Sequence, residues 1–316
     1  EQALPIAEAR GRAVRLAIFP PHARPATAEA EPARGGERDL VAMGFFDEHP
    51  SNCTATWQCP ASTSAGYPRF TDTPGLETGR RNLAIFTAGC NFRCGFCQDW
   101  IHDTMLSTGG PRFTRDEIAD WIDEATTCVS FCGGNPDMQL NSVVDLARHI
   151  RTRFAGRTMR LCVETNLTAP WPVLERLAEI VLASGGGFNV GLKAGSEAVH
   201  RALTGASNGA VWRNLGLLHA RFGMGDEVAL LRPSLLCVPG YVDETEVRLV
   251  ARRLLGIDPG FSLVLLPWYP RFLTTDQPAT RISDLVDLAR AARDEGLRRV
   301  SPDPDQPPTG DRFVRA

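Results

Sequence analysis

Lysine is almost missing from this chain: one residue, Lys193, stands against 33 arginines. No apolar run approaches the ~20 residues needed to cross a bilayer, and no charged-then-apolar leader opens the sequence. A membrane partner is therefore not expected. A net charge of −3 and a pI near 6.1 leave no basic surplus for nucleic acid, while tolerating a cationic small molecule. Histidines are few, six in all, and no two have metal-ligand spacing; His200 reads as helix packing. The nine cysteines are odd in number with three crowded together, which does not suit a secreted disulfide framework. A reducing, cytoplasmic setting is expected.

What the chain does have is a rhythm. After residue 80, apolar β-type runs alternate with segments of helical period. Strands are expected at Asn82–Thr87, Cys128–Cys132, Met159–Glu164, Phe188–Lys193, Val228–Val238 and Ser262–Pro267. Helices are expected at Thr114–Thr126, Asn141–Phe154, Trp171–Ala183, Ser196–Leu203, Gly209–Phe222, Asp243–Leu255 and Ser283–Glu295. Six βα units imply parallel strands with right-handed crossovers. The fold class is α/β, an open partial (βα)6 TIM-like barrel spanning 81–300, whose functional groups belong at the C-terminal strand ends. Residues 1–80 read as a loop-rich N-terminal extension, with Ala23–Arg38 lacking apolar period, and 301–316 as a Pro/Asp-rich tail. No internal repeat goes beyond the βα alternation.

Cys90, Cys94 and Cys97 lie just after the first expected strand, spaced C-x3-C-x2-C. A structural zinc takes four protein ligands, and a catalytic zinc usually recruits histidine or a carboxylate. An electron-transfer iron–sulfur cluster takes four cysteines. Three thiolates suit a [4Fe–4S] cluster with one iron left open for a substrate or cofactor.

This motif, with Phe96 just before its last cysteine, resembles the radical S-adenosylmethionine (SAM) superfamily over residues 80–275. In that family the open iron chelates the methionyl amine and carboxylate of SAM, and one electron yields a 5′-deoxyadenosyl radical that abstracts hydrogen. The resemblance places Gly133 and Gly134 of "SFCGGNPDMQ" at the methionyl amine, with Asn135 replacing the usual glutamate. It places "VETN", with Glu164 and Asn166, at the methionyl ammonium; taken alone, Glu164 reads equally well as a solvated carboxylate at a strand end. "LKAGSEAVHRALTG" and "VPGYVDETEV" resemble the activases of glycyl-radical enzymes, where Lys193 would meet the methionyl carboxylate. A compact ammonium and a planar guanidinium are not interchangeable, which fits the survival of this one lysine.

Two departures from the activases are visible. Gly191 replaces the aspartate of their Asp-x-Lys, and Tyr269 stands where a ribose-contacting histidine is expected. An activase needs no hydrogen donor of its own, yet Cys237 in "LLCVPGY" offers a thiol at the end of the fifth expected strand. Facing the barrel mouth, Cys237 would return hydrogen to a substrate radical, as in the radical epimerases that mature aminoglycosides; facing away, it is core packing. The expected function is thus inversion of a carbon stereocentre in a small polar or cationic sugar, with flavodoxin or ferredoxin as reductant. The alternative is an activase acting on a protein partner. Cys53, Cys59, Cys128 and Cys132 are candidates for a second iron–sulfur cluster, while Cys162, in mid-strand, reads as core.

Overall fold

The computed structural model describes residues 39–49, 53–63, 68–225 and 228–302. The expected loops at Ala23–Arg38 and most of the C-terminal tail lie outside the described residues. Among the described residues nine strands form one open sheet: β1 (Leu40–Glu48), β2 (Arg81–Thr87), β3 (Arg112–Phe113), β4 (Thr126–Gly133), β5 (Arg160–Thr165), β6 (Phe188–Leu192), β7 (Leu231–Cys237), β8 (Ser262–Pro267) and β9 (Arg299–Pro302). Their order is β3-β1-β2-β4-β5-β6-β7-β8-β9. From β2 to β9 every neighbouring pair is parallel, and the sheet stays open, as expected of a partial barrel. Helices return the chain between parallel strands, because a parallel pair cannot be joined by a tight hairpin.

The helical expectations hold to within a residue or two, except the first. The Thr114 helix ends at Asp120, because "WIDEA" turns away to feed β4. Its start carries a reciprocal capping box between Thr114 and Glu117, the sequence signal read correctly. β1 was not expected: it pairs antiparallel with β2 along Ala42–Glu48 and extends the sheet beyond the βα rhythm.

Strand alternation gives the sheet two different faces. The face packed by helices is apolar: Leu83 and Ile85 of β2, Val129 and Phe131 of β4, Leu161 and Val163 of β5 are each fully buried. The concave face is polar and lines a cavity of about 300 Å³. Its residues are Asn82, Ala84 and Phe86 of β2, Cys128, Ser130 and Cys132 of β4, Cys162 and Glu164 of β5, Asn189 and Gly191 of β6, and Arg232, Ser234 and Leu236 of β7. One polar, two-residue-period stripe per strand makes the site.

Candidate active site

The motif loop leaves β2 through Gly89, whose φ of +84° suits glycine. It then presents Cys90, Cys94 and Cys97 to the cavity together with Phe92 and Phe96. Cys90 Sγ accepts from the Phe92 amide and from Asn166 Nδ2, both at 3.4 Å. Cys97 Sγ lies 3.8 Å from His102 Nε2. Burial pushes all three thiols above the ordinary cysteine range, Cys94 to about 12, with the Lys193 ammonium pulling Cys90 and Cys94 back. As bare thiols they keep their protons, and a soft metal would displace them. Among the described residues no three His, Cys, Asp or Glu groups converge on one ion-sized point. Ligands of a single zinc lie about 2.3 Å from it; a cluster spreads its thiolates over several irons. The three-thiol donor set, with an amide aimed at Cys90, fits a cluster.

Asparagines hold the loop in place. Asn135, 1 % exposed, donates from Nδ2 to Asn91 Oδ1 at 2.7 Å and accepts at Oδ1 from the Asn166 amide at 3.2 Å. Asn166 Nδ2 reaches Asn91 Oδ1 as well as Cys90. Asn135 thus ties the β4 and β5 ends to the motif loop. The two glycines before it answer to packing. A Cβ on Gly134 would stand 2.1 Å from the Gly89 carbonyl oxygen, and one on Gly133 (φ +100°) 2.8 Å from Phe86 and the Thr87 nitrogen.

Glu164 and Lys193 line the same cavity, with Lys193 Nζ curled over Gly191 so that a Cβ there would meet it at 3.0 Å. Burial raises the Glu164 carboxyl to about 7, helped by Asp99 and Cys162 and opposed by a hydrogen bond from Asn189 and by Lys193. An arriving ammonium would find an acceptor there. If Lys193 meets the methionyl carboxylate, Lys193→Arg should weaken SAM binding about tenfold, the cost of losing a charge-assisted contact. Equilibrium dialysis on the reconstituted protein checks this, and an unchanged affinity would make Lys193 incidental. Tyr269 does not line the cavity; Leu266 and Pro267 stand there instead.

Cys237 is the principal correction. Arg232, Ser234 and Leu236 point inward from β7, so Cys237 points outward, 1 % exposed within the apolar cluster beneath the helices. Its thiol reaches only the Leu235 carbonyl, at 3.7 Å, and burial alone pushes it to about 12. It is a core thiol. Cys162, read as core, instead lines the cavity, as do the other seven of the nine cysteines.

Cys132, read from the sequence as a second-cluster candidate, stands at the C-terminal end of β4. It lines the cavity immediately before Gly133, and Glu164, Asp99 and Asp47 stand round it. Burial first, and those carboxylates second, push its thiol well up, so it remains S–H. The residues missed in the sequence are inward polar ones on or beside the strands: Asp47, His49, Asn82, Asn189 and Arg232. For Arg232 the signal was parity with Ser234, two residues away.

Residues 84–232 match the Radical SAM superfamily. Over 100 residues the chain is 32% identical to the 7-carboxy-7-deazaguanine synthase of Bacteroides thetaiotaomicron, covering 31% of this chain and 48% of that protein, so the match spans about half of that relative's length. A solved domain of a pyruvate-formate lyase-activating enzyme from Bacteroides vulgatus superposes with a TM-score of 0.45 at 16% identity, covering 56% of this chain and 98% of that one. Streptococcus suis SuiB bound to S-adenosylmethionine gives 0.44 at 12% identity, covering 68% and 48%.

Proposed function

The chain carries a radical SAM domain, and on that premise we propose that it inverts a carbon stereocentre in a small polycationic sugar, an aminoglycoside of the neomycin type. The observation that carries this reading is the Cys132 thiol lining the same polar cavity as Asp47, Asp99 and Glu164, whose charges act on it. Carboxylates in a cavity attract ammonium groups, and a thiol on the same wall stands ready to deliver a hydrogen atom to the molecule they hold.

When bound, a [4Fe–4S] cluster and SAM, the family's cofactors, supply a 5′-deoxyadenosyl radical. Cys90, Cys94 and Cys97 would hold the cluster, and Gly133, Glu164, Asn166 and Lys193 would orient SAM. Asp47 and Asp99 would fix the sugar by its amines, so that one C–H is open to abstraction and the opposite face turns to Cys132. Once the hydrogen is taken from that C–H, the sugar is a carbon radical held by this chain's residues. Cys132 then gives its hydrogen atom to the other face, leaving a thiyl. One electron from a flavodoxin- or ferredoxin-class donor and one solvent proton restore the thiol.

In D2O the inverted product should therefore carry one deuterium at the inverted carbon. Cys132→Ala should still form 5′-deoxyadenosine from SAM and the sugar but give at least a hundredfold less inverted product, the scale on which losing a reacting group acts. Cys237→Ala should turn over normally. A deuterium-free product, or a normal Cys132→Ala, would sink the reading. If instead a glycyl-radical doublet appears by electron paramagnetic resonance on adding a glycyl-radical enzyme, the activase reading takes its place.

A further inference from the structure

We infer that the floor of the barrel is a second iron–sulfur site, held by Cys53, Cys59, Cys128 and Cys162. The inference stands on a different set of residues from the epimerase reading and does not rest on it.

Three observations meet there. First, the four thiols are neighbours. Cys128 is the register partner of Arg160, two residues before Cys162, so the two cysteines share a face of neighbouring strands, and their thiols perturb each other's ionisation. Cys53 and Cys59 flank the single turn Thr56–Gln58; Cys53 is acted on by Cys162 and Cys59, Cys128 by Cys162 and Cys59, and all four line the cavity. Cys132 does not belong with them: four residues along β4 place it about 13 Å above Cys128. The four-cysteine set read from the sequence therefore splits, and Cys162 replaces Cys132.

Second, the floor carries a positive charge with no carboxylate to balance it. Arg160 is matched by Glu77, bidentate at 2.9 and 2.6 Å. Arg232, 2 % exposed, pairs with no carboxylate among the described residues; its side chain gives Nε to the Ala229 carbonyl and Nη1 to Cys162 Sγ at 3.9 Å. Its Nη2 is buried without a hydrogen-bond partner and belongs to a residue lining the cavity. A buried cation calls for an anion. A thiolate-ligated iron–sulfur cluster is an anion of the right chemistry, and four cysteines are its ordinary ligand set.

Third, the floor repeats the motif's own device. Asn189 Nδ2 donates to Cys53 Sγ at 3.2 Å, as Asn166 Nδ2 donates to Cys90 Sγ at 3.4 Å. Such N–H···S contacts stabilise cluster sulfurs and set their potential. Like the motif cysteines, these thiols surround a space without converging on a single ion.

The experiment uses the full chain with Cys90, Cys94 and Cys97 all changed to alanine, reconstituted anaerobically with iron and sulfide. It should retain at least about two iron atoms per chain with matching sulfide, the minimum for a cluster, give an iron–sulfur Mössbauer spectrum, and show no spectral response to SAM. Adding Cys128→Ser and Cys162→Ser should reduce iron to background. Should the triple variant fail to fold, the wild-type motif background decides. There the protein should bind about two to four iron atoms beyond the motif's four. Cys128→Ser with Cys162→Ser should lose only that excess and keep the SAM-perturbed resonance signal. A wild-type chain that stops at the motif's complement, a folded triple variant that takes up no iron, or a floor that takes zinc alone would overturn the assignment. None of these outcomes touches Cys132 or the fate of the sugar.

Discussion

A chain with Cys90, Cys94 and Cys97 all changed to alanine should form no 5′-deoxyadenosine from SAM above the background of a protein-free mixture. On the proposed assignment the loss is total, because each thiolate is then a ligand and not a modulator of one. Three small truncations on a loop cost little else. The loop's backbone is held independently by the Asn135 amide to the Gly89 carbonyl (2.7 Å) and the Arg93 amide to the Thr204 carbonyl (2.8 Å). The variant should therefore keep its far-ultraviolet dichroism and melt within a few degrees of the parent. Asn166→Ala makes the graded comparison: it removes one donor to Cys90 and one to Asn91, and should lower SAM cleavage about ten- to hundredfold, as outer-shell changes do. Nucleoside product measured by chromatography is the right readout, since iron bound anywhere else in the chain would also colour the protein. Undiminished cleavage by the triple variant would remove the motif from the mechanism altogether.

Much of this site was legible because period-two alternation survives in the sequence. In "VALLRPSLLC" the polar Arg232 and Ser234 share parity, and that parity excludes Cys237 from the lumen. A cysteine at a strand end fits a hydrogen donor by chemistry alone, and only this phase tells which side of the sheet it faces. The same rule would have promoted Cys162, flanked at two-residue distance by Arg160 and Glu164. β1 was harder. "LVAMGFF" is apolar on both faces, and its antiparallel pairing with β2 breaks the βα beat on which the other strands were read. Cys53 and Cys59 were unreadable as floor residues for a different reason: a loop segment has no period, and only tertiary packing brings it under the barrel. The Gly133–Gly134 pair was found by resemblance, yet its physical demand is the 2.1 Å approach of a Cβ on Gly134 to the Gly89 carbonyl, which no local pattern encodes.

Below the floor, Glu77→Gln should destabilise the protein by about 3–5 kcal/mol, the cost of leaving one partner of a buried ion pair alone. Glu77 and Arg160 have side chains 0% and 1% exposed. Around them the polar groups are almost fully matched: Glu77 also accepts from the Asp72 amide at 2.6 Å and Thr127 Oγ1 at 2.9 Å, and Arg160 donates to the Phe70 carbonyl. Burial raises the Glu77 carboxyl, but the Arg160 hydrogen bonds and charge, the Asp72 amide and Thr127 outweigh it and hold it below the usual range. A depressed carboxylate contributes stability above its unfolded value near 4.3, and that contribution is lost as pH falls through the folded value. The parent should therefore lose stability as pH falls below about 4, and Glu77→Gln should flatten that limb. Urea midpoints on cluster-free protein, taken at pH 7 and across the acid limb, measure both effects. Arg160 stands beside Cys128 and two residues from Cys162, so the pair also fastens the 70–80 segment beneath the floor thiols. Glu77→Leu combined with Arg160→Met should recover most of the loss, because an apolar pair of similar volume bears no uncompensated charge. A single variant costing under about 1 kcal/mol at pH 7 would mean that water reaches Arg160 and the pair is not buried in solution.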